Sequence, residues 1–442
     1  MVILSEKAPV LYEISQFINP KHKIDEATIH QAKLVIADTI GTAFSGVNSK
    51  AFSSARLRDL FLSAENEFDV WGNSYIRTSY TAAVFYNTLS ISSTDFDEGH
   101  RKAVGHPASL VVPVAVLLGQ KFKRPFSHVL EAVIIGYEVG TRFSQARVRE
   151  KINSYSTGRW GGIATAATAA YLLGLTDYQK VHALSNAAVL SPAMLGGSTD
   201  VSTGSMSKEG VAWAAQVGLQ SALIAKNGFT GPYLFVDETD DYHKDILVEN
   251  LGIEWLINSN YFKPYACCRW LHPAIKAVLA LREENNLYWF RIRKIEVEVF
   301  SRALDLISTK YPEDPIEAQF HLPYVLACAL RFNKVIPEFF AKEYLKMNEI
   351  STLIQKISLI PSEQYSNAFP GKLQSKVTIE LPNGKIFSKE ILEAPWEAGS
   401  HPTETELWEK FKLQAGDKNE YIFKRIMECD ENEVLDFNRE ET

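Results

Sequence analysis

Apolar residues recur mostly at helical spacing through the first 258 positions of the chain. The first clear series consists of Ile29, Ala32, Ile36 and Ile40. These positions lie three or four residues apart, as they would on one face of an α-helix. Asp25 precedes the series and can accept a hydrogen bond from the first turn. The pattern predicts a helix that begins after Asp25 and buries one face.

Helix boundaries are also marked near position 175. Gly174 favours the end of one helix, and Thr176 with Gln179 forms a capping box at the start of the next. The segment that ends at Gly174, "GGIATAATAAYLLG", is so rich in Gly and Ala that neighbouring helices can approach its backbone closely. We expect this segment in the interior of a helical core.

The pattern changes after about residue 290, where polar and apolar residues alternate. The segments "IRKIEVEVF" and "SKVTIELPNGKIF" have the two-residue period of strands. Asn383-Gly384 within the second segment is a strong hairpin signal. The sequence therefore predicts strands that are confined to this window.

A helical pattern returns near the C-terminus, where Thr403 and Glu406 form a capping box and Gly416 marks a stop. The fold class we predict is mainly α. We expect a large all-helical domain from residues 1–258 and 395–442, and a smaller inserted α+β lid domain from residues 259–394. Two such domains form a cleft, where small molecules commonly bind.

Composition and charge exclude several classes of protein. The chain has 442 residues, of which 46% are hydrophobic and 22% charged, as in soluble globular proteins. The net charge of -7 and the mixing of acids with bases argue against a nucleic-acid partner. We also expect no membrane segment and a cytoplasmic location, because no apolar run and no leader signal stand out.

Four cysteines occur in the sequence, namely Cys267, Cys268, Cys328 and Cys429. Adjacent cysteines form a disulfide only through a strained ring, so a disulfide scaffold is not expected. The spacing also argues against a site with four thiolate ligands. The sequence therefore predicts no metal and no cluster at these positions.

The densest group of titratable residues is "SSTDFDEGHRKAVGHPA", residues 92–108, between two apolar helical segments. Pro107 suits the first position of a helix, which places His106 at the N-cap beside unpaired backbone N–H groups. This environment favours the neutral imidazole, which can accept a proton. The alternative for His106 is a helix cap without any chemical role.

A second helix begins with the same residue types at His272 and Pro273, in "CCRWLHPAIKAVLAL". If the two helix starts meet across the cleft, they form a site for a small polyanion. A divalent metal is a less favoured alternative, because no close His or Cys spacing supports one. Its candidate ligands would be Asp95, Asp97, Glu98, His100 and His106.

Two further side chains each have two possible roles. Lys208 follows a glycine-rich run that matches neither a phosphate-binding loop nor a dinucleotide fingerprint. It is either a solvated loop lysine or a group that pairs with a carboxylate or transfers a proton. Tyr324, in "EAQFHLPYVLACAL", is either a core aromatic or a proton donor.

Several segments in this order resemble the MmgE/PrpD family: "ADTIGTAFSG", "TDFDEGHRKAVGHPA", "ATAAYLLGL", "SMSKEG", "AKNGFTGP", "KPYACCRWLHPA" and "EAQFHLPY". That family includes 2-methylcitrate dehydratases, cis-aconitate decarboxylases and iminodisuccinate epimerases. The resemblance implies a helical domain with a smaller α+β lid, a homodimer, an active site between the domains and no obligatory cofactor.

Matching the motifs residue by residue, the resemblance implies active-site roles for Asp95, His106, Lys208, His272 and Tyr324. Two positions depart from the family pattern. Tyr155 stands where many members have a second histidine, and Gly99 stands where the decarboxylases tend to have threonine. Both departures weaken a direct transfer of the decarboxylase reaction, and Tyr155 also weakens the dehydratase assignment.

The reactions of the family break a bond next to a carboxylate, so cations must hold the charge that develops there. Our first expectation is a dehydratase of a di- or tricarboxylate such as 2-methylcitrate. An epimerase of a substituted succinate, a cis-aconitate-type decarboxylase and a non-catalytic dicarboxylate-binding protein are the alternatives.

The expected roles follow from this chemistry. His106, oriented by Asp95, would move the carbon-bound proton, and His272, Tyr324 or Tyr155 would serve the leaving group or the opposite face. The residues expected to bind the substrate carboxylates are Lys208, His100, Arg159, Lys263 and Arg269.

Overall fold

The chain folds mainly as α-helices, as the sequence predicts. The computed structural model describes residues 2–20, 22–55, 67–192, 204–307 and 310–437. The helices of the first part are α1 (Val2–Lys7), α2 (Pro9–Phe17), α3 (Glu26–Gly46), α4 (Lys50–Ser54), α5 (Tyr80–Ser93), α6 (Pro107–Lys121), α7 (Phe126–Gln145), α8 (Gly158–Leu173), α9 (Asp177–Leu190), α10 (Val211–Lys226) and α11 (Lys244–Val248). Among the helices of the described ranges, none has both the length and the apolar character that crossing a bilayer requires.

The helices after residue 260 are shorter on average. They are α12 (His272–Glu284), α13 (Pro315–Ala318), α14 (Leu322–Phe332), α15 (Lys342–Leu345), α16 (Asn348–Ile354), α17 (Glu363–Ala368), α18 (Glu404–Ala415) and α19 (Glu420–Glu428). Short 3₁₀ helices connect many of the elements, at Arg149–Lys151, Lys208–Gly210, Leu256–Ser259, Arg269–Leu271, Trp289–Arg291, Ser301–Leu306, Pro337–Phe340 and Asp417–Asn419.

The largest sheet lies in the window where the sequence predicts strands. Its four strands are β5 (Lys294–Val299), β6 (Ile357–Pro361), β7 (Ser375–Glu380) and β8 (Ile386–Ile391), in the order β6-β5-β7-β8. β5 and β6 are parallel, and the other neighbours are antiparallel. The turn at Gly384, which has a φ of +81°, joins β7 to β8 as the hairpin signal predicts.

The expectation that strands are confined to this window was wrong. An antiparallel hairpin of β1 (Phe68–Val70) and β2 (Asn73–Thr78) interrupts the part that was expected to be all-helical. A second pair, β3 (Gly99–His100) and β4 (Asn260–Tyr261), joins distant segments. Strands β1, β3 and β4 have only two or three residues, too few to show an alternating pattern, which explains why the sequence did not reveal them. The six-residue β2 was missed although it is long enough.

Buried apolar side chains form two main cores. The first contains side chains of α2, α3 and α5–α10 together with α18 and α19. The second contains side chains of residues 266–394 and, in addition, Phe96 from the segment between α5 and α6. The segment of residues 94–106, called the acidic loop below, therefore lies where the two cores meet. The division into a large domain and an inserted lid stays a prediction.

Close helix contacts in the first core depend on small residues. A Cβ atom at Gly218 of α10 would lie 2.2 Å from the carbonyl oxygen of Gly162 in α8. The two helix backbones touch at this point, so no larger residue fits. The small-residue segment is thus buried between neighbouring helices, as the sequence predicts.

Candidate active site

The acidic loop places Asp95 between two lysines that come from distant parts of the chain. Lys208 Nζ donates to Asp95 Oδ1 at 3.0 Å, and Lys263 Nζ donates to Asp95 Oδ2 at 3.1 Å. Lys263 also donates to the Asp95 backbone carbonyl at 3.0 Å. Gln319 accepts a further hydrogen bond from Lys208 at 3.3 Å. The structure thus brings together three residues that the sequence singled out separately.

The charges in this cluster stabilise one another. Burial alone would raise the pKa of the Asp95 carboxyl, but Lys208, Lys263 and His106 hold that pKa well below its usual range. Burial alone would lower the pKa of Lys263, but Asp95 and Asp97 raise it above its usual range. Asp95 therefore stays ionised at neutral pH, and Lys263 stays protonated. Two ammonium groups are therefore held at fixed positions on either oxygen of the Asp95 carboxylate.

Three residues of the cluster have left-handed backbone conformations, which side chains other than glycine rarely adopt. The φ angles are +51° at Asp95, +37° at Lys208 and +60° at Glu209. Each such conformation costs on the order of 1 kcal/mol and needs support from its surroundings. Glu209 has that support, because its carboxylate accepts a hydrogen bond from the Thr157 backbone N–H at 2.7 Å. Residues 193–203 of the glycine-rich run lie outside the described residues.

His106 lies at the N-cap of α6, where the sequence places it. Its Nδ1 atom is 2.6 Å from the backbone carbonyl of Glu98 and 3.5 Å from Asp97 Oδ2. A carbonyl oxygen only accepts, so the neutral ring has its proton on Nδ1 and a free lone pair on Nε2. His106 therefore presents a proton acceptor to the site.

The group that orients His106 differs from the one the sequence suggested. Both oxygens of Asp95 accept hydrogen bonds from lysines, and the His106 ring makes its hydrogen bond to the Glu98 carbonyl instead of to Asp95. The Glu98 carbonyl and the nearby Asp97 carboxylate hold the ring instead. The ion pairs with Lys208 and Lys263 hold the Asp95 carboxylate, which explains the difference.

Glu98 itself lies in a buried polar network. Its carboxyl group accepts hydrogen bonds from the Ala108 backbone N–H at 2.8 Å and from the Tyr137 hydroxyl at 3.0 Å. Asn260 Nδ2 is a third donor at 3.4 Å. Glu98 thus caps α6, whereas the His106 side chain makes no capping hydrogen bond. Burial raises the pKa of Glu98 to about 8.

One possible set of metal ligands exists in the described residues. Single ligand atoms of Asp95, Asp97 and His106 all lie within 4.8 Å of one another. The ammonium groups of Lys208 and Lys263 already face both oxygens of Asp95. A cation bound there would have to compete with these two positive charges, so the donor set fits an anion better than a metal ion.

His272 begins α12 and is completely buried. Its Nε2 atom lies 3.2 Å from the Cys267 carbonyl, and its Nδ1 atom is buried without a hydrogen-bond partner in the described part of the chain. Burial and the charge of Lys263 lower the pKa of His272 to about 3. His272 is therefore neutral and presents an acceptor, not a donor, at Nδ1.

The structure does not bring Tyr324, Tyr155 or Arg159 into contact with the Asp95 cluster. Tyr324 is buried in the second core, and its hydroxyl donates to the Phe339 carbonyl at 2.5 Å. Tyr155 is 45% exposed, in the segment before α8. Arg159 donates to the Ala188 carbonyl at 2.9 Å. The catalytic or binding roles expected for these three stay predictions.

Two predicted substrate-binding residues lie close to the acidic loop. His100 is buried in β3, where burial and Lys102 lower its pKa to about 3. Arg269 pairs through Nε with Glu397, and its guanidinium lies 4.4 Å from the centre of the Tyr261 ring. Arg269 Nη2 is buried and has no hydrogen-bond partner among the described residues.

Sequence reasoning missed Lys410, which lies on α18 near the C-terminus. Lys410 Nζ lies 2.6 Å from Asp38 Oδ1 and donates to the Phe96 carbonyl at 2.8 Å. It also lies 4.3 Å from the centre of the Phe96 ring. This contact fixes the acidic loop from the side of the first core. The capping box at the start of α18 revealed the helix, but no local signal distinguished this lysine from solvated ones.

A cavity of about 740 Å³ adjoins the cluster. Its walls include Ser93, Thr94 and Met206 on one side and Pro315 and Gln319 on the other. Gln319 is the residue that accepts a hydrogen bond from Lys208. Asp95, Lys208 and Lys263 are not themselves among the lining residues, so the cavity borders the cluster through Thr94 and Gln319.

A second cavity, of about 770 Å³, lies elsewhere. Phe68, Trp71 and Tyr421 are among its lining residues, and none of the predicted site residues is. Its size alone does not connect it with the chemistry of the acidic loop.

Comparison with known proteins identifies a family. The MmgE/PrpD N-terminal domain matches residues 13–247, and the MmgE/PrpD C-terminal domain matches residues 265–428. A cis-aconitate decarboxylase of Homo sapiens is 24% identical over 390 residues, which cover 83% of this chain and 79% of that protein.

Two further relatives carry the same name. A cis-aconitate decarboxylase of Aspergillus terreus is 23% identical over 406 residues, covering 83% of this chain and 81% of the relative. One of Mus musculus is 23% identical over 389 residues, covering 83% and 78%. These relatives are enzymes, and their similarity extends over most of both chains.

Proposed function

The chain belongs to the MmgE/PrpD family, and on this premise we propose that it is a lyase that acts next to a carboxylate of a small di- or tricarboxylate. The observation that carries the proposal is the position of His106. Its ring lies within 4.8 Å of Asp95, whose two carboxylate oxygens are held by Lys208 and Lys263. The His106 imidazole and two ammonium groups thus lie around the same carboxylate.

The lysines supply what a carboxylate substrate needs. When a bond breaks next to a carboxylate, negative charge spreads onto the carboxylate oxygens. Ammonium groups that are already oriented and largely removed from water stabilise this charge without reorganisation. Lys208 uses two of its three N–H donors on Asp95 and Gln319, and Lys263 uses two on Asp95, so one N–H donor of each ammonium group remains for the substrate.

For a dehydration, His106 Nε2 takes the proton from the carbon next to the carboxylate. The electron pair of that C–H bond forms the C=C bond, and the C–O bond to the hydroxyl breaks. Lys208 donates a proton to the departing hydroxyl, so that water leaves. His106 then returns its proton to solvent, and Lys208 takes one up from solvent, which restores both groups. We assign the acid role to Lys208, because His272 has a proton acceptor at Nδ1 and so has no proton there to give to the hydroxyl.

For a decarboxylation, the same residues act with His106 protonated at the start. The C–C bond to one carboxylate breaks, CO₂ leaves, and the electron pair remains on the substrate carbon. The His106 imidazolium then gives that carbon a proton and recovers one from solvent.

The names of the relatives favour this reaction, on cis-aconitate. The departure at Gly99 counts against decarboxylation, which leaves dehydration of a substrate such as 2-methylcitrate. The departure at Tyr155 counts against both reactions and favours epimerisation of a substituted succinate.

Proton NMR in D₂O distinguishes these reactions. The purified protein is incubated separately with cis-aconitate, with 2-methylcitrate and with a substituted succinate. A decarboxylase consumes cis-aconitate and releases CO₂, and a dehydratase produces a new vinylic signal from 2-methylcitrate. An epimerase introduces deuterium into the succinate with neither change. Thermal stabilisation by these acids without any turnover would contradict the lyase and indicate a binding protein.

Replacement of the proposed base is the first mutational prediction. His106→Gln keeps the size of the side chain but removes the proton acceptor, so we expect kcat to fall by about 10² to 10⁴. The melting temperature should stay close to that of the wild type, because the side chain does not cap α6. Full activity in the H106Q variant would disprove the role of His106.

The homodimer and the inserted lid domain that the family resemblance implies belong to the same proposal. Residues 266–394 have their own apolar core, as a lid over the acidic loop would require. The dimer stays a prediction.

A further inference from the structure

A tyrosine that sequence reasoning did not single out lies directly against the acidic loop. Tyr261 of β4 is paired with Gly99 of β3. Directly opposed residues of an antiparallel pair project to the same face of the sheet. A Cβ atom at Gly99 would lie 2.3 Å from the Tyr261 hydroxyl oxygen. The phenol ring therefore occupies the space that any side chain at position 99 would need.

This position places the hydroxyl close to the proposed base. Gly99 follows Glu98, whose carbonyl holds the His106 ring. Gly105, the residue before His106, also borders this space, since its carbonyl oxygen would lie 3.0 Å from the same Cβ atom. The Tyr261 hydroxyl thus lies between the two backbone segments that position His106. Burial raises the pKa of Tyr261, so the hydroxyl keeps its proton at neutral pH and acts as a donor.

Two neighbouring donors lack an acceptor. In the parts of the chain that the structure describes, the Tyr261 hydroxyl makes no hydrogen bond, although only 7% of the residue is exposed. The Arg269 guanidinium stacks on its ring at 4.4 Å, and Arg269 Nη2 is buried without a partner. A buried donor without an acceptor costs free energy, so Arg269 Nη2, with the Tyr261 hydroxyl beside it, indicates a ligand that accepts from both.

The local charge favours an anionic ligand. Glu397 pairs with Arg269 through Nε and lies 3.6 Å from Arg101 Nη1, so two guanidinium groups share one buried carboxylate. Lys263, two residues after Tyr261, adds a further positive charge. A carboxylate has two oxygens, which suits one hydroxyl and one guanidinium donor.

We infer that Tyr261, with Arg269, binds a second carboxylate of the substrate while Lys208 and Lys263 hold the carboxylate next to the reacting carbon. This inference rests on the proposed function and narrows it, because a monocarboxylate could not engage both sets of donors. The sequence already predicted that Arg269 binds the substrate. Tyr261 is the new residue, and Gly99 is required to make room for it.

Binding of tricarballylate, an unreactive tricarboxylate, tests the inference by calorimetry. Tyr261→Phe removes one hydroxyl, and we expect the dissociation constant to rise about tenfold. Tyr365→Phe is the matched control, because the Tyr365 hydroxyl bonds to Glu390 in the second core. The control should bind as the wild type does. In turnover with the preferred acid, the Y261F variant should show a raised KM.

Gly99→Ala is a second variant that keeps the hydroxyl but displaces it. Its methyl group would overlap the phenol, so we expect a loss of tricarballylate affinity similar to that of Y261F. Unchanged affinity in both variants, with a wild type that binds, would overturn the role of Tyr261 and leave the proposed function intact. Weakened binding in both variants without turnover in the wild type would support Tyr261 and overturn the lyase. A wild type that does not bind tricarballylate would overturn the role of Tyr261, and turnover of the candidate acids would then decide the lyase separately.

Discussion

At the scale of single residues, the acidic loop separates the tasks of its carboxyl groups by the partners they have. Asp95 is surrounded by lysines and stays ionised, whereas Glu98 receives only neutral donors and has a pKa near 8. The ionised Asp95 fixes the two lysines. The largely protonated Glu98 caps α6 with its carboxyl group and orients His106 with its own backbone carbonyl. Asp95 and Glu98, three residues apart in the sequence, thus differ in charge at neutral pH because their partners differ.

The raised pKa of Glu98 predicts how stability depends on pH. Between pH 4.5 and about 8, the folded protein keeps a proton at Glu98 that the unfolded chain has lost. The free energy of unfolding therefore falls as pH rises through this window, by at most about 1.4 kcal/mol per pH unit from this group. Glu98→Gln removes the titration, so its stability relative to the wild type should rise from pH 5 to pH 8 in urea denaturation.

Glu284→Gln is the control for this experiment, because Glu284 forms an exposed ion pair with Lys389. Its difference from the wild type should stay nearly constant over the same pH range. A constant difference for the E98Q variant as well would show that Glu98 has an ordinary pKa in the folded protein.

At the scale of elements, the signals that succeeded are local ones. Asp25 caps α3, and the capping boxes that begin α9 and α18 are both formed. The helix before Gly174 ends there in a left-handed conformation. These features depend on residues within one turn of each other, which a sequence displays directly.

The signals that failed depend on distant partners. Lys263 and Lys208 were singled out by motif, but Lys410 was not, because its partner Asp38 is far away in the sequence and α18 is otherwise a polar helix. Tyr261 was missed for a similar reason, since only the β3–β4 pair places it against Gly99. The sequence could predict which kinds of side chain the site contains. Which of them pair with one another became visible only in the folded structure.

The contact between α18 and the acidic loop leads to a prediction about stability. Lys410→Met leaves Asp38 buried without its cation, so we expect a loss of about 3 to 5 kcal/mol in the free energy of unfolding. Turnover should also fall, because Lys410 holds the Phe96 carbonyl next to Asp95. Adding Asp38→Asn to the K410M variant should recover part of the stability in chemical denaturation.

Lys412→Met on the same helix is the matched control. Lys412 lies 3.6 Å from the exposed carboxylate of Asp417, and such surface pairs contribute at most about 1 kcal/mol. Equal losses of unfolding free energy in the K410M and K412M variants would show that the buried Lys410–Asp38 pair contributes no more to stability than an exposed pair.

At the scale of the whole molecule, Arg101 connects the acidic loop to the part of the chain built on the second core. It donates to the Pro370 carbonyl at 2.9 Å and to the Gly371 carbonyl. Its guanidinium also lies 3.7 Å from Glu393 and 3.6 Å from Glu397. Since Glu397 also pairs with Arg269, one carboxylate links the loop that holds His106 to the proposed carboxylate-binding residues.

Removal of this connection should loosen the site without unfolding either core. In the Arg101→Ala variant, we expect faster hydrogen–deuterium exchange in residues 99–106 and 393–397, because the loop loses its contacts with the second part. A loop displaced by a fraction of an ångström misaligns His106, so kcat/KM should fall about tenfold or more. Arg293→Ala, which breaks an exposed pair with Glu380 on the sheet, is the control and should change neither quantity. If exchange in residues 99–106 matched the wild type in the R101A variant, the two parts would be held together by their apolar contacts alone, and Arg101 would have no role in positioning the loop.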